Sequence, residues 1–130
     1  MNDSMVRIDL EYIIKTTPNV LFTRLSTANG LSEWFAEEVE VIGNTFIFKW
    51  EGSEQSAIQS DITDSTSVKY TWLEDDNTEG SWFEFTIIIE ELTGDLALIV
   101  TDHTEVDDLE DTTELWNQQI ETLKLRLGSS

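Results

Sequence analysis

His103 is the only histidine of the chain and it follows Asp102 in "TDHTE" (101–105), so acid–base chemistry is sought there first. A general base needs an imidazole, a carboxylate that orients it, and a substrate proton within hydrogen-bond reach. Asp102 is the immediate neighbour of His103. On an extended strand adjacent side chains point to opposite faces, so the two cannot pair directly. No serine stands in a nucleophile motif, and no Ser-His-Asp relay can be assembled. His103 therefore reads as a structural or surface residue. The chain has no cysteine, which removes thiolate nucleophiles, disulfides and thiolate metal sites.

Two acidic stretches invite a metal. "DDNTEG" (75–80) imitates the first half of a calcium loop through Asp75, Asn77, Glu79 and Gly80. The twelfth position would be Thr86 in place of the bidentate Glu, and strands flank the loop where helices are needed. A solvated hairpin loop is the simpler reading. "EVDDLED" (105–111) lacks ligand spacing, and acidic residues before a helix are favourable on their own. With no Gly-rich phosphate loop and no zinc pattern, the expectation is no catalytic residue, no metal and no cofactor.

The remaining chemistry is aromatic. Trp34, Phe48, Trp50, Tyr70, Trp72, Phe85 and Trp116, with Ile120 and Leu123, are the candidates for lining an apolar ligand cavity. The alternative is ordinary core filling, since large rings supply most of the volume of a small core. The sequence leaves both open.

The elements that position these residues follow from periodicity. "VRIDLEYII" (6–14) alternates as a half-buried strand. "TTPNVLFTRLST" (16–27) reads as a helix with Thr17 as cap and Pro18 in the first turn. "ANG" (28–30) reads as a break, and "LSEWF" (31–35) as a second short helix with Trp34 inward. Strands then follow closely: "EVEVIG", "NTFIFKW" after a Gly43-Asn44 turn, "SAIQSDIT" with Ile58 and Ile62 on one face, "SVKYTWL", "SWFEFTIII" and "DLALIVTDH". From Thr112 to Leu127 the period becomes helical, with Trp116, Ile120, Leu123 and Leu127 in one stripe. Asp111 and Glu114 have capping-box spacing, Lys124 and Arg126 suit the last turn, and Gly128 the C-cap. The class is α+β. An antiparallel sheet of about six to seven strands must bury one face, and only the terminal helix is long enough to cover it.

The 130 residues suit one domain, 1–130, with one core. Net charge is −20, from 27 acidic and 7 basic residues, which disfavours nucleic acid and anionic membrane surfaces. Any electrostatic partner would be a basic protein, attracted over about 8 Å at physiological salt. No secretory signal or long apolar run is found, so a soluble, cytoplasmic protein is expected.

The chain resembles the START-like (SRPBCC, birch-pollen-allergen-like) helix-grip superfamily, in the branch named after the activator of heat-shock protein 90 ATPase. The residues that carry the resemblance are "TPNVLFTRLSTANGLSEWF" (17–35), "ALIVTDH" (97–103) and "ELWNQQIETLKLRL" (114–127). It implies a curved antiparallel sheet wrapped around a long C-terminal helix, with two short helices after the first strand. It also implies Trp34 and Phe35 at the mouth of the grip. Relatives have a Gly-rich, more basic segment between the second and third strands where this chain has "VIGNTF". Several relatives bind lipids or polyketides, so the resemblance points to a non-enzymatic module holding a small hydrophobic ligand. The alternatives are a co-chaperone-like protein-interaction module and, third, a cyclase- or hydrolase-type enzyme, against which the missing acid–base constellation argues.

Overall fold

The computed structural model describes residues 5–73 and 81–128, so the calcium-loop-like segment 75–80 lies outside the described residues. Strand β1 (Met5–Ile13) leads into helices α1 (Pro18–Ser26) and α2 (Ala28–Leu31). Strands β2 (Glu38–Ile42), β3 (Thr45–Trp50), β4 (Ser53–Thr63), β5 (Ser67–Trp72), β6 (Trp82–Ile89) and β7 (Leu96–Glu105) follow, then α3 (Leu109–Leu127) after a 3-10 turn, Val106–Asp108. All pairings are antiparallel, in the order β1-β7-β6-β5-β4-β3-β2. The meander runs β2 to β7 without interruption, and β1 closes against the last strand.

Strict alternation places one set of side chains on the inner face. Phe46 and Phe48, Val68 and Tyr70, Phe83, Phe85 and Ile87, and Leu96, Leu98 and Val100 are all buried there. Helix α3 lies across this face with Trp116, Ile120 and Leu123 buried, and the Trp116 ring sits 5.9 Å from Phe85. At the β2–β3 turn Gly43 takes φ 64°, a conformation most side chains resist, which explains glycine at this two-residue turn. Gly128 closes α3 in the left-handed conformation, its N–H reaching the carbonyls of Leu125 and Lys124.

Four local expectations are corrected. "ANG" is not a break: it begins α2, and the residues after Leu31 form the turn. The cause is Thr27, whose hydroxyl accepts the Gly30 N–H and donates to the Thr23 carbonyl, so one side chain stitches the end of α1 to the start of α2. Thr17 holds the cap position of α1, but its hydroxyl donates to Asn19 Oδ1. In β4 the inner face carries Ala57 and Gln59, while Ile58 faces outward and Ile62 is exposed. A bulge between Ser60 and Thr63, with Asp61 at φ 49°, breaks the alternation. Finally, α3 begins at Leu109, so Asp111 lies within its first turn and is not its cap.

The carbonyls at the end of α1 are individually satisfied, as buried helix ends require. Those of Phe22 and Thr23 accept the hydroxyls of Ser26 and Thr27. Those of Arg24, Leu25 and Ser26 accept from Trp34 Nε1 at 2.9 Å, Tyr70 Oη at 2.6 Å and Gln59 Nε2 at 2.8 Å. Tyr70 and Gln59 are also bonded to each other at 3.0 Å. The sheet therefore grips α1 by its C-terminal end through polar atoms inside an apolar core. Burial raises the Tyr70 phenol far above its ordinary range, which favours the neutral, donating form, as its bond to the Leu25 carbonyl requires.

Candidate functional site

Phe35 occupies the centre of the grip. Its ring packs on Phe48 at 5.0 Å, Phe83 at 5.5 Å, Trp50 at 5.7 Å and Trp116 at 5.9 Å, so it joins sheet to helix. Its carbonyl accepts from Trp50 Nε1 at 3.0 Å and from Gln119 Nε2 at 3.1 Å. This plug divides the space under α3. Inside it the rings of Phe48, Tyr70, Phe83 and Phe85 pack on one another, as Tyr70 on Phe83 at 5.1 Å shows.

Outside the plug lies an open groove of about 500 Å³ between the sheet and α3. Phe35, Trp50 and Trp72 line it with Leu115 and Trp116 of the helix. Gln55, Asp102, His103, Thr112 and Gln119 bring polar atoms to it. Trp50 and Trp72 are only partly buried and Leu115 is exposed, so a ligand would meet ring surface already open to solvent.

Asp102 is placed by the alternation of β7. Leu96, Leu98, Val100, Asp102 and Thr104 share the inner face, so this carboxylate points under the helix. Its Oδ2 accepts the Trp116 indole N–H at 2.8 Å, and its Oδ1 accepts the His103 backbone N–H at 2.8 Å. Two residues further, Thr104 bonds Thr112 through their hydroxyls at 2.8 Å. Two strand residues span about 6.6 Å and four helix residues about 6 Å. The pairs Asp102–Trp116 and Thr104–Thr112 therefore stay in step and set the register of α3 on β7. Burial raises the Asp102 carboxyl above its usual range, opposed by its bonds to Trp116 and to the His103 N–H.

His103 points the other way. Its ring meets Trp82 edge-on at 4.7 Å on the outer face, with Nδ1 2.9 Å from the Trp82 carbonyl. The Asp102 and His103 side chains part to opposite faces, as alternation requires. Among the described residues no group of three or more His, Asp or Glu is placed to hold a metal, and no helix is long and apolar enough to cross a membrane.

Of the nine cavity candidates, the structure brings Trp50, Trp72 and Trp116 to the groove. Phe48, Tyr70, Phe85, Ile120 and Leu123 are not among its lining residues. Each is at most 1% exposed and is packed against other core side chains, because Phe35 fills the space they would otherwise bound. Trp34 is drawn off by its bond to the Arg24 carbonyl and borders a second, more open depression with Glu33 and Arg126. The lining residues Gln55, Asp102, His103, Thr112, Leu115 and Gln119 were not among the candidates, whereas the family resemblance places Phe35 at the mouth of the grip. The parity of β7 carried a signal for Asp102, and the helical spacing 112, 115–116, 119 one for the α3 residues.

A seven-stranded curved antiparallel sheet closed by a C-terminal helix, with two short helices after its first strand, defines a helix-grip protein. A family model described as the START-like superfamily domain matches residues 1–129, and the chain belongs to that superfamily. No curated protein matches the sequence. The chain is similar to BfR322 from Bacteroides fragilis, a solution NMR structure, at 34% identity over 98% of this chain and 93% of that one, with a TM-score of 0.67. It is similar in fold to the Aha1 dimer from Colwellia psychrerythraea, at 19% identity, 92% and 93% coverage and a TM-score of 0.78. Protein MLL2253 from Mesorhizobium loti matches at 16% identity, 95% and 97% coverage and a TM-score of 0.75.

Proposed function

We propose that this protein is a non-enzymatic binding module that takes up a small hydrophobic molecule between the sheet and α3. The observation that carries the reading is the groove of about 500 Å³, within the size range of small-molecule sites, with the partly exposed rings of Trp50 and Trp72 and the largely buried rings of Trp116 and Phe35 lining it. Membership of a superfamily that commonly binds hydrophobic ligands supports it. The other candidates, Phe48, Tyr70, Phe85, Ile120 and Leu123, act as the rigid backing of that surface.

Nile red, an uncharged dye, tests the reading. Binding at one site with micromolar affinity is expected. Leu115→Trp, at a position 56% exposed, fills the groove without entering the core and abolishes the signal. No dye binding by the folded protein, or undiminished binding by the Leu115→Trp variant, rejects the groove as the site.

The second reading is a basic protein partner held by the acidic surface. It is favoured by the exposed run Glu105–Asp111, where acidic side chains alternate with exposed Val106 and Leu109. Such a partner, captured at low salt, is lost as salt rises toward 0.5 M, whereas ligand binding in the groove is not.

A further inference from the structure

The walls of the groove are more specific than apolar character alone. Three of its lining residues are tryptophans and a fourth is Phe35. The face of an indole ring is electronegative and attracts a cation within about 6 Å, and clustered rings are the usual means of holding a methylated ammonium group. A carboxylate stands among them. The two oxygens of Asp102 each accept an N–H, from Trp116 and from the His103 backbone, which is the pattern of an ionised carboxylate. Both donors are neutral, so neither cancels its charge.

No Lys or Arg lines the groove among the described residues; Gln55, Thr112 and Gln119 bring neutral polar groups, and His103 is the one basic residue of its wall. The His103 ring is turned to Trp82 on the opposite face. A partly buried carboxylate with no Lys or Arg in its own wall, and with the His103 ring turned away from it, carries a desolvation cost that a bound cation offsets. The net charge of −20 adds a field that concentrates cations and repels anions at the groove mouth.

We propose that the groove selects a small organic cation, an ammonium or methylated ammonium on an aromatic or branched apolar body, with its charge between the three indoles and Asp102. The inference rests on the groove being a ligand site and names the ligand class. It excludes fatty acids and other anionic lipids as preferred ligands, because their charge would meet Asp102 and the acidic surface together.

A matched pair of probes tests it. 3-Hydroxyphenyltrimethylammonium and 3-tert-butylphenol have nearly the same shape and differ in one positive charge. Indole N–H shifts of Trp50 and Trp116, followed by NMR titration, report the affinity of each. The cation is expected to bind about tenfold or more tightly. Asp102→Asn lowers that ratio by about tenfold. Trp72→Leu, at a partly exposed ring, lowers the ratio too and provides the test if the Asp102 variant does not fold. Equal affinity for the two probes, or a ratio unmoved in whichever variants fold, overturns the proposal. If neither probe binds but Nile red does, the cation preference is refuted and the groove stands. If nothing binds, both fall.

Discussion

Removing a single oxygen from the centre of the core, by Tyr70→Phe, tests how the sheet holds α1. Tyr70 is fully buried, and its ring packs on Phe83 at 5.1 Å and Phe46 at 5.4 Å, contacts that phenylalanine keeps. What is lost is the hydroxyl, which donates to the Leu25 carbonyl at 2.6 Å and accepts from Gln59 Nε2 at 3.0 Å. The Leu25 carbonyl, at the end of α1, is left without this donor, which costs about 1–3 kcal/mol. Gln59 keeps its bond to the Ser26 carbonyl, so its loss is smaller, about 0.5–1 kcal/mol. The sum is about 1.5–4 kcal/mol, or roughly 5–15 °C in Tm for a domain of this size. Urea and thermal melts followed by circular dichroism read it. Gln59→Met alone removes the second donor, and the double variant should show a coupling of about 1 kcal/mol because the two side chains share one network. Hydrogen exchange adds a local signature: the α1 amides lose protection before those of β6. A Tyr70→Phe variant within 0.5 kcal/mol of the wild type, with α1 exchange unchanged, would refute the account of α1 as latched through its C-terminal carbonyls.

Gly30→Ala should destabilise by about 2–3 kcal/mol, because the new Cβ would lie 2.2 Å from the Thr23 carbonyl oxygen and 2.6 Å from the Arg24 Cα, backbone atoms that can yield only if α1 and α2 separate. Gly43→Ala meets no atom within 4 Å and should cost only the strain of φ 64°, about 1 kcal/mol; equal losses in the two variants by urea denaturation would contradict the packing account. Phe48→Ala leaves a void among five aromatic rings and should cost about 3–5 kcal/mol, read by urea denaturation, a large share of the stability of an ordinary domain. Asp102 gives a pH signature. Burial holds its folded pKa above the unfolded value of 3.8, so between the two the folded state binds more protons and stability falls as pH rises through the folded pKa. Relative to Asp102→Asn, the wild type should therefore lose stability from acid toward neutral pH and level off above the folded pKa; a parallel pair of stability–pH curves from urea melts would show that Asp102 pays no burial penalty.

The architecture was legible because its signals are local. Large apolar residues recur at every second position in β5, in β6 from Phe83 to Ile87 and in β7 from Leu96 to Val100, and the stripe Trp116, Ile120, Leu123 fixes which side of α3 is apolar. Pro18, the Gly43 turn and the Gly128 cap mark their boundaries by backbone constraints that hold whatever surrounds them. Reading failed where a distant partner sets the local structure. The inner positions of β4 are Ala57 and polar Gln59, because the end of α1 needs a donor there, so apolar alternation pointed to the wrong face. The helix at "ANGL" depends on one threonine hydroxyl reaching back into the preceding helix.

For the site the division is similar. Sequence alone determined an acidic chain with a ring-rich inner sheet face and an amphipathic terminal helix opposite it, since charge and periodicity are properties of the chain itself. Only the tertiary structure decided that Phe35 packs on Phe48, Phe83, Trp50 and Trp116 at once, that five of the nine candidate residues are solid core, and that Trp50, Trp72 and Trp116 meet Asp102 at an open groove. The physical reason is that a cavity is the space left after side chains from separate elements have packed. Its walls depend on where Phe35, β7 and α3 come to rest against one another, and no spacing within any one of them encodes that.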